Sequence, residues 1–317
     1  MAYASGGLIA ATDYNGLAQT TVAGNIAYVW GTGSAEWGYG QTTTQIASVS
    51  ASSLVTATQW AGLVYTVNQT LGHQYAAGAR LASGSNIGIT AGATITYFAN
   101  VASAVSNVAT NHRNWGSQGS TVTGANFTAS QSYADSTTFK TFTTSRTVTF
   151  ASGGDAARYF FNAGGRLQLV ITATNNNATS RSGDYVTLFQ TNLGGAIVGA
   201  QTDTARTGSS GTLNSSNSSA GYFSLSTTPT TYANLTSSSA TYTYTVDWLR
   251  LDVSTNGPQG SNRDQGSTIT FTLATAQPAQ TNSNFNDAVN VTVTTRVDII
   301  LPETTFLANT WGVIGIT

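Results

Sequence analysis

The sequence predicts a mainly β protein: an antiparallel β-sandwich or jelly-roll-like region with a small N-terminal helical module. Three observations predict it. Apolar residues recur at every second position in several stretches after Ser117. Turn-forming clusters of Gly, Ser, Asn and Pro separate those stretches. Ahead of Ser117 the apolar spacing is helical instead.

The helical module contains an internal echo. Leu8-Ile-Ala-Ala-Thr-Asp-Tyr-Asn-Gly-Leu-Ala resembles Leu54-Val-Thr-Ala-Thr-Gln-Trp-Ala-Gly-Leu-Val. The second copy reads as an amphipathic helix, with Trp60, Leu63, Val64, Val67 and Leu71 on one face. Thr56 and Gln59 have capping-box spacing, Thr58 is an alternative N-cap, and Gly72 suits a C-terminal stop. A third helix is expected from about Tyr97 to Ala109, where Val101, Ala104, Val105 and Val108 share a face. Gly-rich stretches separate the helices, notably Gly31-Thr-Gly-Ser-Ala-Glu-Trp-Gly-Tyr-Gly-Gln41.

Strands are expected around Arg146 to Phe150 and where Leu167, Leu169, Ile171 and Ala173 alternate. Ile269, Phe271 and Leu273 give another, as do Val289, Val291 and Val293. From Tyr242 to Trp248 one apolar phase runs, and from Leu249 to Val253 the opposite one, which predicts a bulge. Between the first two strands, Arg158-Tyr-Phe-Phe-Asn-Ala-Gly-Gly165-Arg reads as packing aromatics and a Gly-Gly turn. Thr174 to Asp184 and Asn256 to Asn262 read as turn clusters. The stretch from Thr204 to Ala220, mostly Ser, Thr, Gly and Asn, reads as a flexible loop or as one ordered only against a neighbouring subunit. The domain boundary falls near residue 118: 1–118 helical, 119–317 β.

Composition narrows function. Only 7% of the 317 residues are charged, against about 25% in ordinary soluble domains, while 40% are hydrophobic. A real core is affordable, and wholesale disorder is not expected. The net charge of -1 supplies no field to gather nucleic acid or anionic lipid, so neither is expected as a partner. With no cysteine there are no disulfides, thiolate nucleophiles or Cys-containing metal sites. No basic n-region and long apolar segment open the chain, and no apolar run reaches membrane-spanning length, so neither export by the general route nor membrane insertion is expected.

Catalytic groupings are sparse. Two histidines, His73 and His112, sit near expected helix ends: capping or packing for the first, an exposed helix exit for the second. The nucleophile-elbow pattern Gly-x-Ser-x-Gly does not occur. In Gly31-Thr-Gly33-Ser-Ala-Glu36 a carboxylate stands where a dinucleotide fingerprint has its third glycine. Glycosidase chemistry needs two carboxyl groups about 5 to 9.5 Å apart. Asp247 with Asp252, or Asp155 with Asp184, are the available candidates, and pairing with arginine or a turn amide is the stronger expectation for each. Asp155 with Arg158 is the obvious local pair. Asn262-Arg-Asp264-Gln-Gly266 lacks the ligand spacing of an EF-hand. No catalytic residue, cofactor or metal site is therefore assigned, and no enzymatic function is expected.

Four short pieces resemble a known family. They are Trp37-Gly-Tyr-Gly-Gln41; Ala57-Thr-Gln-Trp60 with Leu63 and His73-Gln74; Arg158-Tyr-Phe-Phe-Asn-Ala-Gly-Gly165; and Leu301-Pro with Trp311-Gly312. Together they make the chain similar to virion structural proteins of tailed bacteriophages, particularly those infecting cyanobacteria. The resemblance implies a non-enzymatic building block present in many copies and leaves its station open among tail, neck, baseplate, fibre and capsid surface; small helices plus strands, without the broad mixed α/β surfaces of shell-forming chains, favour the tail, neck or fibre apparatus. The resemblance further implies assembly in the host cytoplasm, residence in the virion, and a homo-oligomer that contacts other virion structural proteins. The helical module is expected to dock onto the particle. The alternative is a receptor- or polysaccharide-binding adhesin that meets a host surface glycan through exposed Trp115, Tyr222 and Tyr232.

Overall fold

The protein, seen in a computed structural model, is described here over residues 9–19, 23–76, 80–81, 98–133, 140–201, 206–217, 221–237, 247–257, 266–277 and 288–317. The helical part opens with α1 (Ala11–Ala18) and α2 (Ile26–Trp30) and continues with α3 (Ala57–Tyr75) and α4 (Phe98–Thr110). Then come β1 (Gln118–Val122), β2 (Phe127–Tyr133), β3 (Lys140–Phe150), α5 (Gly154–Asn162), β4 (Arg166–Asn175), α6 (Ser180–Val186) and β5 (Gly195–Val198). The remaining described strands are β6 (Thr212–Ser216), β7 (Thr230–Thr236), β8 (Trp248–Thr255), β9 (Thr268–Gln277), β10 (Val289–Pro302) and β11 (Ile314–Ile316).

The strands form two antiparallel sheets, which confirms the β-rich class. One runs β1-β10-β4-β5, with β2 also on β10, and the other runs β11-β3-β9-β8-β7-β6. The long β10 is the spine of the first: β4 lies along one side, while β1 and β2 share the other. Alternation works as the sequence predicts. Leu167, Leu169 and Ile171 of β4 and Val289, Val291 and Val293 of β10 are buried, as are Ile269, Phe271 and Leu273 of β9. All belong to one continuous apolar core, and Leu169 meets Phe271 and Leu273 around a residual space of only about 10 Å³. Outward positions are bridged by hydroxyls instead of ions: Thr128 with Thr294, Ser130 with Thr292, Ser145 with Thr272, and Thr147 with Thr270. These are directly opposed cross-strand pairs, which explains how a surface with few charges stays ordered and wet.

The expected capping box is present. Thr56 Oγ1 accepts the Gln59 N–H, and Gln59 Oε1 accepts the Thr56 N–H at 2.8 Å. The two copies of the sequence echo start helices at equivalent residues, Ala11 and Ala57. The third helix lies at Phe98–Thr110 with Val101, Ala104, Val105 and Val108 buried, as expected.

Several readings are corrected. Gly72 does not stop α3, which runs on to Tyr75; a Cβ there would lie 2.6 Å from the Phe306 ring, so the glycine admits that ring instead. The aromatics of the 158–165 run pack into the core and Gly164 turns at positive φ as expected, but residues 154–162 do so as a helix, α5, buried from Ala156 to Asn162. Within the expected turn cluster, Thr179 caps α6, which passes into a π-helical stretch over Thr187–Leu193. The low-complexity stretch carries β6, paired with β7. The expected bulge involves residues 242–246, outside the described residues; β8 itself pairs in continuous register with β9.

Candidate functional site

Parts of the four pieces that carry the family resemblance, namely Trp37–Gln41, His73-Gln74, the 158–165 run and Trp311, meet at one junction between the Gly-rich loop 31–41, α5, the exit of α4 and the C-terminal tail. The loop has three positive-φ glycines: Gly33, Gly38 and Gly40. They turn its carbonyls onto α5. The Arg158 guanidinium donates to the carbonyls of Thr32 and Trp37, each at 2.7 Å, and to the Asp155 carboxylate at 2.9 Å. The Asn162 amide donates to the carbonyls of Ala35 and Gly38 at 3.2 and 3.0 Å. Both side chains are almost fully buried, so these bonds satisfy groups that would otherwise be costly to desolvate.

The tail and α3 close the other sides. Gln41 pairs with both backbone groups of Ala308 at 2.9 Å, and Thr310 Oγ1 donates to the Tyr39 carbonyl at 2.8 Å. Trp311 packs edge-on against Phe160 at 6.3 Å. Gln74 Nε2 donates to Tyr39 Oη at 3.1 Å and to the Val108 carbonyl at 3.0 Å. Burial pushes the Tyr39 phenol's pKa up, so it stays protonated and donates to the His112 carbonyl at 2.8 Å.

A cleft of about 480 Å³ opens on this junction, bordered by Gln74, Asn114, Trp115, Phe161, Arg166 and Gln201. Gly164, at φ +85°, lies against the Trp115 indole; a Cβ there would stand 2.8 Å from the ring. The Arg166 guanidinium lies 4.6 Å from the centre of the same indole. Phe161 stacks at 4.5 Å on Tyr222 behind it. Arg113, also on the cleft wall, is ion-paired with Glu36.

Of the three aromatics expected to be exposed, only Trp115 keeps that place: it is half-buried on the cleft wall. Tyr222 and Tyr232 are corrected, since both are 0% exposed and cannot stack on a glycan. Tyr222 Oη donates to the Gly266 carbonyl at 2.8 Å, and its ring belongs to the core. Arg166 was missed from the sequence. Its signal was its position directly after Gly164-Gly165, where β4 begins.

Asp247, Asp252 and Asp155 take arginine partners. Asp247 is held by Arg181 in a fully buried bidentate pair at 2.9 and 2.6 Å, Asp252 by Arg250 at 2.8 Å, and Asp155 by Arg158. His73 is buried, edge-on to Tyr39 at 4.9 Å, as packing predicted. His112 is not an exposed helix exit: it is half-buried and stacked on Trp37 at 3.6 Å. Among the described residues no three His, Asp or Glu side chains form a metal-binding group, and no helix is long and apolar enough to cross a membrane. Asp264 of the turn weighed for calcium lies outside the described residues. Compared with protein-family models, with curated proteins and with solved structures, the chain matches none.

Proposed function

We propose that the chain is a non-enzymatic structural subunit of a tailed-phage virion, in its tail, neck or fibre apparatus. It works there in many copies, as a homo-oligomer and beside other virion structural proteins, after assembly in the host cytoplasm. The observation that carries the reading is the edge strand β6, Thr-Leu-Asn-Ser-Ser. All five of its residues are exposed, and among the described residues no strand pairs its outer side. Natural edges of this kind are usually blunted by lysine, other charges or proline. β6 has none of these and presents Leu213 to solvent. Such an edge suits strand-to-strand joining of subunits, with the Thr and Ser ladders of the outer faces adding little charge to desolvate.

Light scattering and negative-stain imaging of the purified chain test this. A closed ring or elongated oligomer of fixed symmetry is expected, and Leu213→Lys should shift it toward monomer with the fold intact. An oligomer unchanged by that substitution would remove β6 as the joining edge. A chain that stays monomeric and is not found in purified particles would overturn the virion reading. The second reading, an adhesin, rests on Trp115 alone of its three original aromatics, because that residue borders the cleft.

A further inference from the structure

The geometry points to the Trp115–Arg166 cleft as a binding site for an acidic sugar, a uronate whose carboxylate pairs with the Arg166 guanidinium. The inference deepens the adhesin reading and does not depend on assembly through β6. Volume comes first: about 480 Å³ lies within the range of small-molecule sites, which run from about 300 to 1,000 Å³.

Charge comes next. Two arginines border the cleft, and among the described residues no Asp or Glu does. Arg113 is already neutralised by Glu36. Arg166 is not: among the described residues its guanidinium makes no hydrogen bond or ion pair, only the contact with the Trp115 ring. That contact orients a planar fork of donors without using them, and a fork of this kind fits a carboxylate bidentately. The side chain is only partly exposed, so the pair would be screened less than one on open surface.

The remaining wall decides what carries the carboxylate. Asn114 and Gln201 bring carboxamides, which suit hydroxyl groups because they offer both donors and acceptors, while Gln74, whose Nε2 is used by Tyr39 and Val108, brings its Oε1 as an acceptor only. Trp115, half-buried on the wall, brings apolar surface for the C–H face of a sugar ring. A bare inorganic anion would use Arg166 and leave the amides and the indole idle. A neutral sugar would leave the guanidinium without its counter-charge. A uronate uses all three features. The site is also held firmly, since Gly164 packs on the indole and Phe161 is backed by Tyr222.

Calorimetric titration of the full chain with trigalacturonate, maltotriose and inorganic phosphate tests the assignment. Trigalacturonate should bind at least about tenfold more tightly than either comparison ligand, and Arg166→Gln should remove about tenfold or more of that affinity. Equal binding of trigalacturonate and maltotriose would overturn the carboxylate contact, and tighter binding of phosphate would overturn the sugar. No binding of trigalacturonate at millimolar concentration would overturn the site. If Arg166→Gln does not fold, Arg166→Lys, which keeps the charge but loses the fork, should still weaken trigalacturonate several-fold; wild-type affinity in that variant would overturn the proposal. These readouts are separate from particle mass, so failure here leaves the assembly reading standing, and the reverse also holds.

Discussion

Gln41 pairs with Ala308 as one backbone unit pairs with another: its Nε2 donates to the Ala308 carbonyl and its Oε1 accepts the Ala308 N–H, both at 2.9 Å. A side chain from the N-terminal loop thus does for the C-terminal tail what a neighbouring strand would do. The same Nε2 also donates to the Tyr39 carbonyl at 3.1 Å, and Gln41 is buried. Gln41→Leu keeps the bulk and removes every one of these bonds, leaving both Ala308 backbone groups without them. We expect a loss of about 1–3 kcal/mol, read as a lower urea midpoint at unchanged slope. Amide exchange at Ala308 should rise first, and protection unchanged there would show that the pair does not hold the tail.

The Arg181–Asp247 pair ties α6 to the residue ahead of β8, with both side chains 0% exposed. Burial raises the Asp247 pKa, and the hydrogen bonds from Arg181 pull it back. Removing one partner strands the other charge in the core. Asp247→Ala should therefore cost about 3–5 kcal/mol. Replacing both, Arg181→Met with Asp247→Leu, should cost much less than the sum of the single changes. A double-mutant cycle with no coupling would mean that the pair is already solvated.

Gly40 meets two constraints at once. Its φ is +70°, and an added Cβ would lie 2.4 Å from the Tyr159 ring. Gly40→Ala should cost about 1 kcal/mol for the backbone and about 1–3 more for the ring. Tyr159→Leu in the same chain should return part of the second cost and none of the first. Purely additive effects in thermal melts would show that the ring moves aside freely.

How much of this was legible follows residue by residue. α3 was readable because Trp60, Leu63, Val64, Val67 and Leu71 all face one core and Thr56 caps the start. β4, β9 and β10 were readable because each buries one face only. α5 was not readable: Arg158 and Asn162 sit on buried faces, where the carbonyls that receive them come from residues more than a hundred positions earlier. A sequence shows those two residues as polar and therefore exposed. β6 was hidden because its side chains are exposed on both faces, so no alternation marks it. At the site, Trp115 was visible as an aromatic outside any apolar pattern, whereas Tyr222 and Tyr232 looked the same and serve the core. Arg166 gained meaning only when β4 brought it over the indole of Trp115.

His73 gives the protein an acid limit. Both ring nitrogens are buried without a hydrogen-bond partner among the described residues, and burial lowers its pKa from 6.5 to about 4. In the unfolded chain the ring titrates near its ordinary value, so between those two pH values the unfolded state binds a proton that the folded state refuses. The stability linked to His73 is fully present above about pH 6.5 and is lost as pH falls toward about 4. At 1.36 kcal/mol per pKa unit the loss is on the order of 3 kcal/mol. His112 is shifted the same way by its own partial burial, against the raising effect of its Nδ1–H donating to the Ala109 carbonyl, and adds a slope of the same sign. His73→Leu removes the titration and the two unsatisfied nitrogens together. Its urea midpoint should change little between pH 7 and pH 5, while that of the parent falls. If the variant keeps the parent's full slope, the acid sensitivity belongs to other groups, and the close packing of His73 against Tyr39 is not what resists the proton.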